Sequence, residues 1–353
     1  MKILLITVRS DFGGGPRHVD QLIGGLCEGN DIYVAYPQKG DPYASQWNEN
    51  PQIKGRIFIP YRKFSFRTLF EMKKFIERNS IDIIHSHGNG AGIYSRLLKM
   101  IGVKAKVVHT FHGVTDDYAN CIKKNANKLL GRFLRHFTNK FIFVSCGEMG
   151  LARKMGFMVD ERSVVIYNGI EAPFVATHQE MDAFRVVTLS RFDYQKNMDL
   201  AYEVAKKMKG DPVRFVWVGN GDDWNRLKKQ AEQDDVNIDF VGFSTKAMDY
   251  LANASAYLST SRFEGLPYAL IEAAGSALPI IATNVVGNNE VVLDKKTGFL
   301  YNTAEEACAF IRALLHDSDL RKKMSLESRK FFEQEFTLAM MVKKVNVQYA
   351  SLM

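Results

Sequence analysis

At 353 residues, 46% hydrophobic and 24% charged, the chain has apolar material for two ordinary cores, and two domains are expected. No apolar run reaches the roughly 18 residues of a membrane span, and the opening at residues 2–8 is too short and strand-like for a secretory signal, which points to the cytoplasm. Cys27, Cys121, Cys146 and Cys308 are scattered without a CxxC pair, so neither a zinc site nor a disulfide framework is expected. The net charge of +8 belongs to the first half, with 25 Lys and Arg against 14 Asp and Glu through Ile170 and 22 against 25 thereafter.

Residues 2–8 read as a buried strand, residues 9–16 as a loop with three consecutive glycines, and residues 17–28 as a helix. Gly13, Gly14 and Gly15 would let backbone amides approach a phosphate at a helix start, although a purely structural turn fits the same residues. Their spacing is not GxGxxG, which argues against a nicotinamide or flavin site. Strands are expected at residues 31–35, 56–59 and 81–85, with a helix over 67–79. His85-Ser86-His87-Gly88 closes the third of these strands, where ligands collect in open α/β sheets, and it lacks the nearby acids of a metal site.

Residues 106–110 form the next strand and run into Phe111-His112-Gly113. Over residues 122–137, apolar positions at helical spacing oppose Lys123, Lys124, Lys128, Arg132 and Arg135. This basic amphipathic helix either packs on the core with a solvated face or, with Arg62, Lys63, Arg67, Lys73 and Lys74, rests on anionic lipid. Strands at 141–145 and 164–166 lead to Tyr167-Asn168-Gly169-Ile170, and residues 171–183, with Pro173 and no periodicity, read as a linker.

The second half opens with a strand at 185–189 and a turn flanked by Arg191 and Lys196. A guanidinium and an ammonium there are either solvated surface or phosphate ligands, each charge-assisted contact being worth about 1.5–3 kcal/mol. Strands at 213–218 and 238–241 end in Gly219-Asn220-Gly221 and Gly242-Phe243-Ser244, glycine-marked ends that could seat a nucleobase. Further strands are expected at 256–258 and 279–282, and helices at 304–315, 318–335 and 338–352. Alternating strands and helices imply parallel sheets.

One stretch, Ser261-Arg262-Phe263-Glu264-Gly265-Leu266-Pro267-Tyr268-Ala269-Leu270-Ile271-Glu272, organises the rest. Gly265 permits an unusual backbone angle or close ligand approach, Pro267 suits a first helical turn, and residues 268–277 favour helix, so Glu264 should precede a helix N-terminus and Glu272 lie inside it. Amides at a helix start attract anions. A phosphate there would leave Glu264 and Glu272 to accept hydroxyls on either side, which suggests sugar and ribose. Read alone, the pair is a capping acid and a solvated helix residue, but the apolar run around Glu272 speaks against solvation. A glycosidase pair is disfavoured, because eight helical residues rise about 12 Å where a retaining glycosidase needs its carboxyls about 5 Å apart.

Glu264 and Glu272 closely resemble the Glu-x7-Glu signature of the retaining GT-B glycosyltransferases of the group 1, or family 4, type. The resemblance extends along the chain. Gly13 to His18 are similar to that family's Gly-Gly-x-x-Arg-His loop, with Pro16 where many members carry glutamate. Thr110-Phe111-His112 resembles its Thr-x-His, and Asn168-Gly169 the motif closing its first domain. Ser190 to Asn197 resembles its Gly-Arg-x-x-x-x-Lys-Gly loop, with both cations kept and both glycines replaced.

What the resemblance implies is an α/β protein of GT-B fold, two Rossmann-like α/β/α domains facing across a cleft. They would span an acceptor domain at 1–170, a linker at 171–183, a nucleotide-sugar domain at 184–335, and a helix at 336–353 returning to the first domain. It implies transfer of a sugar, most simply from a UDP-sugar, to an acceptor hydroxyl with retention of configuration. Arg191, Lys196 and the amides of Gly265, Leu266 and Pro267 would face the donor diphosphate, replacing a metal, so no cofactor is expected. Glu264 would hold the donor sugar, Glu272 the ribose, His112 would orient the sugar, and Gly219 and Phe243 would border the base. Gly14, Gly15 and Asn168 would line the phosphates and acceptor entrance. A glycan or lipid-linked glycan acceptor, of the bacterial surface polysaccharide or lipopolysaccharide kind, and an anionic membrane surface at the inner face are the expected partners. A nucleotide-sugar epimerase of the same architecture, or a basic nucleic-acid-binding protein, are the alternatives. No nucleic-acid partner is expected, because the basic residues form no recognisable RNA motif.

Overall fold

Strand β1, Lys2–Thr7, is buried at every residue after Lys2, as a parallel strand covered on both faces must be. In this computed structural model, which describes residues 1–39, 41–114, 131–156, 159–173 and 183–353, it is the third strand of a seven-stranded parallel sheet. Its partners are β2 (Asp31–Tyr36), β3 (Ile53–Phe58), β4 (Ile83–His87), β5 (Lys106–Thr110), β6 (Lys140–Phe143) and β7 (Ser163–Val165), in the order β3-β2-β1-β4-β5-β6-β7. A second parallel sheet contains β8 (Phe184–Leu189), β9 (Val213–Val218), β10 (Ile238–Gly242), β11 (Ala256–Ser259), β12 (Ile280–Thr283) and β13 (Gly298–Tyr301), in the order β10-β9-β8-β11-β12-β13. Each sheet is doubly wound, and its strand order reverses once, beside β1 and β4 in the first and beside β8 and β11 in the second.

The chain divides into two compact units, Met1–Gly169 with Leu338–Met353, and Ile170–Thr337. At the crossing points Ile170 N donates to Phe336 O at 3.0 Å, and Ile170 and Thr337 form an isolated parallel bridge, both within the second unit. The terminal helix Leu338–Ala350 belongs to the first unit. It buries Met341, Val342, Val345 and Tyr349 beside Val19, Leu22, Ile23 and Leu26 of the helix Gly14–Leu26. Gly25 makes that approach possible, since a Cβ there would stand 2.3 Å from Val342 Cγ2.

Several sequence expectations are corrected. The first helix starts at Gly14, inside the glycine run, because Gly13 adopts an extended backbone and serves as its N-cap. The strand expected to end at His85 continues through His87, carried by its ladder to Thr7 and Thr110. The helices Tyr43–Glu49, Gly88–Met100, Cys146–Lys154, Met198–Lys207 and Trp224–Asp234, and strand β13, were not anticipated. Of these, Gly88–Met100 opens Gly-Asn-Gly, which locally reads as a loop and becomes helix only against the sheet. A short helix, Asn288–Val291, follows β12. The amphipathic helix expected over 122–137 lies mostly outside the described residues, and its end, Arg135–Phe137, is a 3-10 turn. Most of the expected linker, residues 174–182, also lies outside them.

Adjacent glycines in the first helix face opposite environments: nothing approaches a Cβ on exposed Gly24, whereas Gly25 meets Val342. Gly24→Ala is expected to raise stability by about 0.5–1 kcal/mol through helix propensity, and Gly25→Ala to lower it by about 1–3 kcal/mol through overpacking. Urea denaturation of both variants checks this, and a Gly25→Ala protein as stable as Gly24→Ala would contradict the packing of the terminal helix.

Candidate functional site

In an open parallel sheet the connections leaving two neighbouring strands diverge where strand order reverses, and a crevice opens at the strands' carboxyl ends. In the second unit the crevice lies between the turn after β8 and the loop after β11. Lys196 ends the turn, its amide bound to Asp193 Oδ1 at 3.0 Å, and Asn197 adopts the left-handed backbone (φ 53°) that starts the helix Met198–Lys207. Glu264 sits on the opposite loop, before the helix Tyr268–Gly275. Their side chains meet: Lys196 Nζ is 2.5 Å from Glu264 Oε1, with 19% and 7% of the two side chains exposed.

Two further donors hold the carboxylate. Ser261 Oγ donates to Oε1 at 2.7 Å and Gln195 Nε2 to Oε2 at 3.2 Å. An ionised carboxylate has about four acceptor positions, so one position on Oε2 is left for an incoming hydroxyl. The ammonium has three protons, and it can keep Glu264 while offering others to a phosphate. The two connections are tied together by Thr260 Oγ1 to Lys196 O at 2.8 Å and Arg262 N to Gln195 O at 2.8 Å. Neighbouring loops close in as well. Gly219 (φ 138°) leaves room for Ser190 O, which a Cβ would approach to 1.8 Å, and Gly287 (φ 86°) lets the loop after β12 reach Gly265 O, 2.5 Å from a Cβ.

The remaining candidates in this unit take varied positions. Arg191 is 53% exposed in its side chain and folds back on Asp193 Oδ2 at 2.9 Å and Gln195 Oε1 at 3.2 Å. Glu272 is buried in the second turn of its helix, not solvated. Glu264 itself is outside the helix, so a helical rise does not measure the separation of the two glutamates. Tyr257, whose hydroxyl is tied to the Leu189 backbone, is pushed well above the usual phenol range by burial, with the charges of Glu272 and Glu264 adding to the effect. Phe243 is exposed beside Gly242 at the end of β10. Pro267 requires a correction: it is the N-cap, with extended backbone, and having no N–H it can offer no amide to an anion. The donors of this loop are the amides of Gly265 and Leu266 and those of the helix's first turn.

In the first unit the strand ends gather histidines. His18 comes from the first helix, His85 and His87 from β4, His109 from β5 and His112 from the loop after it. His87 Nδ1 and His112 Nε2 are 3.3 Å apart, and the His18 ring centroid is 4.8 Å from that of His112. His18 Nδ1 is 3.0 Å from Asn168 Oδ1, which gives Asn168 a structural task beside any ligand contact. Gly14 and Gly15 occupy the first turn of the helix, with Gly15 3.7 Å, measured from a Cβ, from the His112 ring. Burial lowers all five imidazoles, His18 to about 4, so they are neutral at pH 7. One ring nitrogen from each of His18, His87 and His112 lies within 4.8 Å of the other two. Buried Glu148, which sequence reasoning missed, holds the His112 loop in place, accepting from Gly113 N at 2.6 Å, Val114 N at 3.0 Å and Val144 N at 3.0 Å.

Residues 12–172 match the profile of Glycosyltransferase Family 4, and residues 172–331 that of Glycosyl transferases group 1. The chain is a group 1, family 4 type glycosyltransferase. Among its relatives is the Escherichia coli UDP-Gal:alpha-D-GlcNAc-diphosphoundecaprenol alpha-1,3-galactosyltransferase, 26% identical over 313 residues, covering 81% of this chain and 79% of that protein. The E. coli O-antigen biosynthesis glycosyltransferase WbnH is 23% identical over 339 residues, covering 95% and 96%. Of solved structures, HepE from Anabaena in complex with UDP-glucose superposes with a TM-score of 0.86 at 16% identity over 99% of this chain and 100% of its own, which establishes the GT-B fold.

Within this glycosyltransferase, Gln195 and Ser261 escaped the sequence reading although both ligate Glu264. Gln195 directly precedes Lys196 and Ser261 stands three residues before Glu264, and only the meeting of two loops distant in sequence reveals their roles. Neutral buried histidines set a pH dependence. Unfolded, an imidazole takes a proton near pH 6.5, whereas folded His18 does so only at about 4. Between those values the unfolded chain binds more protons, and stability falls as pH falls, by on the order of 3 kcal/mol from His18 alone. The urea midpoint is expected to drop between about pH 7 and about pH 5. An unchanged midpoint would show the histidines to be solvated.

Proposed function

We propose that this glycosyltransferase moves a sugar from a nucleotide diphosphate sugar, specifically a UDP-sugar, to an acceptor hydroxyl with retention of configuration and without a metal. The observation that carries the reading is the Lys196–Glu264 pair at the strand-order reversal of the second unit, beside the amides of Gly265 and Leu266. As the glycosidic bond breaks, negative charge builds on the departing diphosphate. Fixed cations and amides that are already in place stabilise that charge without reorganising. Lys196 supplies it directly, and Arg191 does so after leaving Asp193. Glu264, held by Gln195 and Ser261, accepts a hydroxyl of the donor sugar through its remaining position, and Glu272 accepts from the ribose.

No residue among these is placed as a nucleophile. The acceptor attacks from the face the nucleotide leaves, and its proton passes to the departing phosphate oxygen. Neutral His112 orients the sugar, its ring steadied by His87 and its loop by Glu148. Uridine as the base is supported by the UDP-glucose bound to HepE and the UDP-Gal named for the E. coli galactosyltransferase. An acceptor on a lipid carrier, within surface polysaccharide synthesis, is supported by that transferase's diphosphoundecaprenol substrate and by WbnH.

Lys196→Ala and Glu264→Ala are expected to lower kcat by about a hundredfold or more, the scale of losing a preorganised charge-stabilising group, with unchanged far-UV circular dichroism. Near-normal turnover by either would remove the site assignment. Turnover by the wild-type protein should survive excess EDTA, and full inhibition that added magnesium or manganese restores would show that a metal shares the diphosphate.

A further inference from the structure

Three histidines from three separate segments converge at the carboxyl edge of the first sheet. His18 comes from the helix Gly14–Leu26, His87 from the end of β4 and His112 from the loop after β5, and one ring nitrogen of each lies within 4.8 Å of the other two. His87 Nδ1 and His112 Nε2 are 3.3 Å apart, which is the separation that two bonds of about 2.0–2.1 Å make at a tetrahedral zinc. The other two imidazoles at this edge stand apart from the group. His85 has both ring nitrogens engaged, with Tyr349 and Thr110, and His109 bonds Ser86. The sequence offered no acids beside His85 and His87, and folding brings imidazoles to His87 in their place.

A neutral imidazole has one lone pair and one N–H, so each ring can give one ligand and keep its proton on the other nitrogen. His18 is already arranged in this way. Its Nδ1 lies 3.0 Å from Asn168 Oδ1, an acceptor, which fixes the proton at Nδ1 and the lone pair at Nε2. An oxygen acceptor behind the ligating ring is the usual support of a metal-bound histidine. His87 is only 4% exposed, and its Nε2 has no hydrogen-bond partner among the described residues, so a polar ring has been taken from water without being satisfied. His112 is half-buried and gives an ion access from solvent. The widest pair of nitrogens has to close from at most 4.8 Å to about 3.3 Å, which side-chain rotation supplies.

We infer that His18, His87 and His112 form a binding site for a divalent transition metal of the zinc class, with three nitrogen ligands and the fourth position left to water. Three neutral nitrogen donors select zinc, cobalt or nickel over magnesium and calcium, which take oxygen ligands. All three residues belong to the first unit, and the site uses none of the residues assigned to the donor diphosphate. Its effect on the reaction is inhibitory: a bound ion takes the lone pair of His112 that orients the sugar, and transfer stops until the ion is chelated. That effect rests on the transferase reading. The binding itself does not.

Untagged protein, stripped with EDTA and desalted, is titrated with cobalt(II), whose visible ligand-field bands report four-coordination, and then with zinc as competitor. Wild type is expected to take up one cobalt ion with tetrahedral bands that zinc abolishes and excess magnesium leaves in place. His87→Gln and His112→Gln should each weaken binding by about a hundredfold or more, and Asn168→Ala by about tenfold. His136→Gln, His316→Gln and Cys146→Ser, which change exposed groups, should bind as wild type does. Every variant should keep the wild-type thermal shift with UDP, so loss of the donor site and loss of the metal site are read separately. Should buried His87→Gln fail to melt cooperatively, half-buried His112→Gln decides. The proposal is overturned if wild type shows no tetrahedral cobalt bands, if the bands survive in His112→Gln, or if they vanish in the variants of exposed groups. Cobalt and zinc binding without inhibition of transfer would uphold the site and remove His112 from sugar orientation.

Discussion

A parallel strand buried on both faces can present polar groups only at its ends, and this constraint decides where the chemistry of the chain can lie. In each sheet the side chains with chemical capacity collect at the carboxyl ends of strands near the reversal of strand order. The first unit gathers five imidazoles there and the second a lysine, a glutamate and the donors that hold them. Elsewhere the sheets are filled with Ile, Val, Leu and Phe, whose packing provides the rigid frame from which these groups project.

The two collections differ in electrostatic character. The histidines of the first unit are shut away from water and kept neutral by one another's presence as well as by burial, so they offer hydrogen bonds and shape, not charge. The second unit keeps a formal ion pair, Lys196 with Glu264, at a crevice edge where one carboxylate position and the spare ammonium protons remain usable. A reaction that builds charge on a diphosphate needs the second kind of site near the leaving group. A neutral and shaped surface suits the orientation of sugars. Gln195, Ser261 and Glu148 act behind the visible residues, each by accepting or donating bonds that fix another group's position.

Much of this was legible in order along the chain. Residues 106–110, 213–218 and 318–335 form the elements that apolar runs and helical spacing indicated, and Glu264 before a helix with Glu272 inside it follows from Gly265, Pro267 and the residues after them. Where the reading missed, local signals opposed tertiary ones. The helix Gly88–Met100 opens Gly-Asn-Gly, and β13 is four residues long with a glycine at its start, so neither announces itself without the sheet it packs on. Pro267 was assigned an amide that proline does not have, an error of chemistry that its N-cap position makes plain.

By itself the sequence determined the α/β class, the family and the identity of the motif residues, because these depend on local periodicity and on short spacings within one loop or turn. Only the tertiary structure decided which residues share a bond: Lys196 with Glu264 across 68 positions, His18 with Asn168 across 150, and His85 with Tyr349 across 264. Such partners are set by strand order and by the return of the terminal helix. Packing of distant segments fixes both, and no local pattern of residues encodes them.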